Sequence, residues 1–378
     1  MKKVMIVFGT RPEAIKMAPL CLRFLDKKDI KTLICVTGQH REMLDQVLSI
    51  FNVVPDIDLN IMKQGQDLFD VTSSILLKIK DVLLDHNPDM VLVHGDTTTA
   101  YATALACFYY GVKIGHVEAG LRTYNMKAPF PEEFNRQSIG LMADMHFTPT
   151  SVTKNNLICE GKNEDSVVVT GNTVIDALHI ILKNIETDLD KSIKISSKIN
   201  KLLKFDTNDS KFVLITGHRR ENFGAGFLDI CEAIKEVAIM HPDIYFVYPV
   251  HLNPNVQEPV NNILSNIFNV ILIKPLAYEE FVFLLKKSYL VLTDSGGIQE
   301  EAPSIGKPVL VMRDTTERPE AVSAGTVKLV GSSKKNIVKH IDLLLKDKTL
   351  YKKMSHAHNP YGNGKASDKI IEHIRRKL

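Results

Sequence analysis

The stretch Val4-Met5-Ile6-Val7-Phe8-Gly9-Thr10-Arg11-Pro12-Glu13 decides how this chain is read. Five consecutive apolar residues make Val4 to Phe8 a buried strand. Thr10-Arg11-Pro12-Glu13 fits a capping box, in which Thr10 caps a helix, Glu13 reciprocates three residues on, and Pro12 is tolerated in the first turn. A buried strand that runs into a capped helix (Arg11 to Lys27) opens a βα unit. The pattern then repeats. Strands are expected at Lys31 to Val36, Met90 to His94 and Val112 to Val117, and helices at Arg41 to Phe51, Leu68 to Asp85 and Thr97 to Tyr110. Short apolar strands separated by helices indicate a parallel sheet.

The second half has the same style without sequence repetition. Phe212 to Thr216, Ile244 to Val250, Val270 to Ile273, Leu290 to Thr293 and Val309 to Val311 read as strands. Helices around 227–240, 279–287 and 297–305 fall between them. The boundary is expected after Val167-Val168-Val169-Thr170-Gly171-Asn172, where a lysine-rich stretch from Lys191 to Lys204 follows as surface helix and linker. Pro360 and Gly362 break the pattern before a last helix, Lys365 to Lys377. The expected class is α/β: two doubly wound, Rossmann-like parallel-sheet domains facing a cleft.

A chain of 378 residues is too long for one ordinary core. With 44% hydrophobic and 24% charged residues and a formal charge of +3, it reads as a soluble globular protein. The small charge and the lack of a basic stripe interleaved with aromatics argue against nucleic acid as a partner. No apolar stretch approaches the roughly 20 residues of a membrane span. Cys21, Cys35, Cys107, Cys159 and Cys231 are odd in number and scattered, as reduced thiols of a cytoplasmic protein would be. The N-terminal apolar run is too short for a signal peptide and leads into no small-residue cleavage site.

Charged motifs stand where the apolar runs stop, and in open α/β folds strand ends form the ligand crevice. Arg11 and Lys16 oppose the helix dipole unless an anion sits at the helix start. Asp96 and Glu118 each follow a strand, and Glu132 opens a helix with Arg136 one turn on. Asp96 reads either as a cap for the helix beginning at Thr97 or as an acid. Glu132 and Glu133 read as dipole compensation, and Glu132 alternatively as a proton carrier. In Asp294-Ser295-Gly296-Gly297, a hydroxyl and two glycines suit a diphosphate, with Glu301 one turn into the helix for a ribose and Arg318 downstream. His218-Arg219-Arg220 resembles a phosphate-binding loop, and His251 reads equally as core or cleft. No histidine spacing matches zinc. The Gly-x-Gly-x-x-Gly dinucleotide fingerprint and the Walker loop are absent, so neither cofactor nor metal is expected.

These residues are similar to those of the non-hydrolysing UDP-N-acetylglucosamine 2-epimerases of bacterial cell-surface polysaccharide pathways. The likeness spans essentially the whole chain. It is carried by segments 8–19, 39–45, 94–99 (His-Gly-Asp-Thr-Thr-Thr), 116–123 (His-Val-Glu-Ala-Gly-Leu-Arg-Thr), 170–176, 216–222, 294–301 and 313–320. The resemblance implies a glycosyltransferase-B-like fold, a homodimer, and interconversion of UDP-GlcNAc and UDP-ManNAc. It implies Arg11, Lys16 and His218 near the diphosphate, Ser295, Gly296 and Gly297 on phosphate, and Glu301 on the ribose. Asp96, Glu118, Glu132, Arg136 and His218 would surround the sugar, Phe281 would lie beside the uracil, and Arg318 would take another cleft position. The last helix would cross back to the first domain, giving expected domains of 1–171 with 360–378, and 172–359. Phe130 stands where relatives usually carry tryptophan. Glu42 and Gly65 stand where some relatives use glutamine and arginine for a second, regulatory substrate site, while Gln39 and His251 are kept.

The chemistry favours elimination. The proton on sugar C2 is not beside a carbonyl, so a carboxylate cannot simply remove it. Loss of the anomeric UDP together with the C2 proton gives a 2-acetamidoglucal, and UDP then adds back with protonation on the opposite face. A hydrolysing epimerase releasing ManNAc and UDP, a retaining glycosyltransferase, and a UDP-sugar sensor remain as alternatives.

Overall fold

The computed structural model describes residues 1–39, 41–217, 219 and 223–378. Among them, two all-parallel sheets are formed. The first contains β1 (Lys2–Phe8), β2 (Ile30–Val36), β3 (Ile57–Asp58), β4 (Met90–His94), β5 (Lys113–Val117), β6 (Met145–Thr148) and β7 (Val167–Val169), in the order β3-β2-β1-β4-β5-β6-β7. The second contains β8 (Phe212–Thr216), β9 (Tyr245–Pro249), β10 (Val270–Ile273), β11 (Leu290–Thr293), β12 (Val309–Val311) and β13 (Val327–Leu329), in the order β10-β9-β8-β11-β12-β13. In the first sheet the chain steps outward from β1 to β3 and returns to β4 on the other side of β1. The second sheet repeats this manoeuvre around β8 and β11. Each junction is a topological switch point, where the connections leave in opposite directions and open a crevice at the strand ends.

Burial explains why the apolar runs were readable. Val4 to Phe8 are fully buried because helices cover both faces of the sheet. Met5 and Val7 pack with Ile75, Ile79, Val91, Val93, Ala100 and Ala104. Three strands escape a reading by apolar runs. β3 has two residues, β6 (Met-His-Phe-Thr) carries buried polar side chains, and β13 is an edge strand with Lys328 exposed.

The chain divides into two units, Met1–Ala177 with Tyr361–Leu378, and Leu178–Pro360. The division falls inside helix Thr173–Thr187, whose residues Val174, Ile175, Ala177, Leu178 and Ile181 are all buried. The lysine-rich stretch forms helix Leu189–Leu203, which buries Ile195, Ile199 and Leu203 and exposes its lysines. The C-terminal helix Ala366–Lys377 packs on helix Arg11–Leu25 through a stripe that includes Ile370, Ile371 and Ile374. Its own N-cap, Lys365, makes no side-chain cap. Buried Asp176 does that work from 190 residues away, accepting from the backbone N–H of Ala366 (3.1 Å) and Ser367 (2.8 Å). Asp176→Ala leaves two buried donors unsatisfied. It is expected to destabilise the first unit by about 2 kcal/mol, read as an earlier midpoint in urea unfolding followed by circular dichroism.

His94 on β4, His116 on β5 and His146 on β6 are buried, and His116 and His146 lie opposite each other in register. Burial lowers their pKa values to about 4, about 3 and about 4 respectively. A depressed folded-state value means that stability is present above the unfolded value of 6.5 and is lost as pH falls through the folded value. Stability should therefore decline from pH 6.5 towards pH 4. His146→Leu should reduce that slope by up to about 1.4 kcal/mol per pH unit, one proton's worth. Denaturant unfolding at pH 7, 6 and 5 measures it, and parallel slopes for the two proteins would show that His146 takes no part.

Candidate active site

At the β1/β4 switch point one carboxyl ties two strand ends together. Thr10 caps helix Arg11–Leu25, and Glu13 completes the capping box. Glu13 Oε2 accepts from the N–H of Gly9 (3.1 Å) and Thr10 (2.9 Å), while Oε1 accepts from the Thr97 hydroxyl (2.8 Å). Burial pushes the Glu13 pKa up to about 7 despite these hydrogen bonds. Gly9 is required for close approach, because a β-carbon there would lie 1.9 Å from Thr37 Oγ1.

Thr97, not Asp96, caps the next helix, Thr98–Tyr110, accepting from Ala100 N–H at 3.0 Å. The capping role considered for Asp96 is thereby corrected. A threonine hydroxyl one residue on is better placed, and the aspartate is left available. Arg136 Nη2 donates to Asp96 Oδ2 at 2.5 Å, and Asn135 Nδ2 donates to the Asp96 carbonyl at 2.9 Å. Burial raises the Asp96 pKa; Arg136 opposes the rise, and Glu118 and Glu132 add to it.

Glu118, just beyond β5, has a backbone φ of +62°, in the left-handed region that costs a non-glycine residue about 1 kcal/mol or more. Its carboxylate is held by the Lys16 ammonium and by Asn172 Nδ2 (2.6 Å), with His94 Nε2 at 3.8 Å. With its pKa at about 4, His94 is neutral at pH 7, so Lys16 is the cation of the pair. Arg11, half-exposed in the first helical turn, makes no hydrogen bond or ion pair among the described residues.

The two glutamates at the start of helix Glu132–Met142 separate in role. Glu133 is wholly buried and accepts from Thr123 N–H, Tyr124 N–H (3.0 Å each) and Gln137 Nε2 (2.8 Å). Burial pushes its pKa up, but these donors and Arg136 outweigh burial and leave it lowered. Glu132 Oε2 is buried with no hydrogen-bond partner among the described residues. Glu132 lines a cavity of about 370 Å³ together with Thr10, Gln39, Asp96, Thr97 and Asn135. Dipole compensation needs no burial, so it does not account for a buried glutamate oxygen without a partner among the described residues.

In the second unit, the turn after β11 leads into helix Ile298–Ser304. Asp294 Oδ2 accepts from the N–H of Arg219 (2.8 Å), and Gly297 opens the helix with no side-chain cap. Gly296 lies under Arg318, where a β-carbon would be 2.5 Å from Nη1. Arg318 Nε donates to Glu300 at 2.5 Å, and Glu301 accepts from the Tyr278 hydroxyl at 3.0 Å. Glu317 accepts from Arg313 at 2.9 Å; burial opposes this, but the guanidinium wins and holds the carboxyl at about 2. Phe281 is half-buried one turn after Tyr278. The structure therefore gathers Ser295, Gly296, Gly297, Glu301 and Arg318 around one strand end. His218 lies outside the described residues, as do His40, Arg220, Glu221 and Asn222.

Glu13, Glu133, Asn135 and Asn172 were not singled out from sequence as site residues. Asn135 sits three residues after Glu132, a spacing that places both on one helix face. No local signal marks Asn172, whose partner is 54 residues away. Among the described residues no cluster of His, Cys, Asp or Glu has metal-holding geometry, and no helix is long and apolar enough to cross a membrane.

A family model described as UDP-N-acetylglucosamine 2-epimerase matches residues 23–375. A UDP-N-acetylglucosamine 2-epimerase of Campylobacter jejuni is 61% identical over 370 residues, covering 98% of this chain and 96% of the relative. The Escherichia coli K12 enzyme of the same name is 55% identical over 373 residues, covering 99% and 98%. The crystal structure of the Neisseria meningitidis UDP-GlcNAc 2-epimerase bound to UDP-GlcNAc matches with a TM-score of 0.91 at 52% identity, over 99% of this chain and 100% of that one. Two doubly wound parallel sheets, carboxylates gathered at a switch point and relatives matched end to end agree: the chain belongs to the UDP-N-acetylglucosamine 2-epimerase family.

Proposed function

We propose that this protein interconverts UDP-N-acetylglucosamine and UDP-N-acetylmannosamine by elimination and re-addition of UDP, supplying activated N-acetylmannosamine for surface polysaccharide. The observation that carries this reading is the trio of carboxyl groups on the first unit. Asp96 is paired to Arg136, Glu118 is held by Lys16 and Asn172, and Glu132 has an oxygen without a partner among the described residues. Three acids in three environments suit a reaction that takes a proton from one face of C2 and returns one to the other. The Neisseria relative is crystallised with UDP-GlcNAc, which supports the same substrate here.

In the forward step Glu118 or Asp96 takes the C2 proton and the C1–O bond breaks. Its electron pair leaves with the diphosphate as the C1–C2 double bond forms. In the return step UDP adds to C1 and Glu132 serves the protonation of C2 from the other face. Arg11, Lys16 and His218 counter the charge of the departing diphosphate, together with the Ser295 hydroxyl, the Gly296 and Gly297 backbone and Arg318. Arg136 keeps Asp96 in place. Glu301 takes the ribose, and Phe281 stacks with the uracil.

Two copies are proposed to associate through helices Leu68–His86, Thr98–Tyr110 and Glu132–Met142. These are neighbours in the fold and expose Leu77, Leu84, Phe108, Tyr109 and Leu141. Apolar exposure on that scale is characteristic of an interface. Unpaired thiols, four of five buried, fit a reducing cytoplasm.

Proton NMR of UDP-GlcNAc with the pure protein in D₂O tests the reaction. UDP-ManNAc with deuterium at C2 is expected; UDP with free ManNAc would replace the reading with hydrolysis, and unchanged substrate would end it. Glu132→Gln should lower kcat by about 100-fold or more, and normal turnover would remove Glu132 from the chemistry. Leu141→Glu is expected to shift light-scattering mass from dimer to monomer.

A further inference from the structure

We infer that Asn172 is a positioning residue for the reaction, its side-chain amide fixing the Glu118 carboxylate and the C-terminal segment fixing Asn172. The inference rests on the reading above, in which Glu118 handles a proton. Asn172 is buried, and both ends of its amide are engaged. Oδ1 accepts from Val174 N–H (3.1 Å), and Nδ2 donates to Glu118 Oε2 (2.6 Å). Because Oδ1 is already claimed by a backbone donor, the amide cannot flip, and its N–H₂ must point at Glu118.

Asn172 is in turn held by chain that arrives 189 positions later, since its N–H donates to the Tyr361 carbonyl at 2.8 Å. Gly171, at φ +91°, allows that approach; a β-carbon there would lie 3.0 Å from the same carbonyl oxygen. The local turn needs only Oδ1, as Asn side chains commonly accept from the N–H two residues on. The Nδ2 contact adds nothing to that turn, and its effect falls on Glu118. Glu118 itself has a left-handed backbone, a conformation that its surroundings must maintain. Among the described residues, other groups facing Glu118 include Lys16 from helix Arg11–Leu25, His94 from β4 and, through charge, Asp96 beyond β4. Of these, Lys16 sits on a flexible stem, whereas Asn172 is locked. Asn172 is therefore a group that sets direction.

Asn172→Asp separates the two roles. It keeps the acceptor for Val174 N–H and the volume, but replaces a donor to Glu118 by a second carboxylate, and two carboxylates sharing a site cannot both ionise freely. The acid limb of the kcat–pH profile should move upward by about one pH unit or more, with KM changed less than about threefold and the unfolding midpoint near wild type. Asn172→Ser, uncharged, should move the limb in the same direction by less. It carries the test alone if the aspartate variant fails to fold. Wild-type pH profiles for both variants would overturn the inference. Glu118→Gln is measured alongside: if it keeps normal turnover, the assignment of Glu118 falls, and if it is inactive while both Asn172 variants behave as wild type, only the role of Asn172 falls.

Discussion

The first unit is organised around a carboxyl that never meets the substrate in the proposed reaction. Glu13 gathers the N–H groups that follow β1 and the hydroxyl that follows β4, closing the seam where the sheet changes direction. Because Thr97 is committed to this seam and to its helix, Asp96 is left to Arg136. Glu13 titrates in the opposite sense from the buried histidines. Its folded pKa of about 7 exceeds its ordinary 4.5, so its contribution is present below pH 4.5 and fades as pH rises through about 7. Stability is thus eroded by Glu13 at the neutral end and by His94, His116 and His146 at the acid end.

The acids at the site differ through their surroundings. Asp96 is half-buried beside a guanidinium, Glu118 takes an ammonium and an amide on a strained backbone, and Glu132 faces a cavity with an oxygen unmet by any described residue. Glu133, next in sequence, satisfies a turn and is spent on structure. Adjacent identical residues thus do unrelated work, because successive helical positions point about 100° apart.

This contrast shows where sequence reading succeeds and stops. β1, β4, β5, β8 and β11 were legible because helices cover both faces of the sheets, so central strands are apolar without interruption. The Thr10–Glu13 box was legible because both partners lie within one turn. β6 was not, since a histidine and a threonine interrupt its apolar run although both are buried in the fold. Asp96 was ambiguous because capping by Asp96 or by Thr97 fits the same letters, and only the geometry selects. Asn172 was silent because its meaning depends on Glu118 and Tyr361, both far away in the chain.

The handhold that Asp176 and Asn172 offer to residues 361–378 has a temporal side. On the ribosome the first 177 residues emerge early, yet the helix that seals them is made only after the whole of the intervening unit. Until then the two buried acceptors of Asp176 face open water and Asn172 lacks its tether. The second unit, contiguous in sequence, is under no such delay. Completion of the Glu118 surroundings therefore waits on residues 361–378, and a nascent chain can complete its second sheet while Asn172, the partner of Glu118, still lacks its tether.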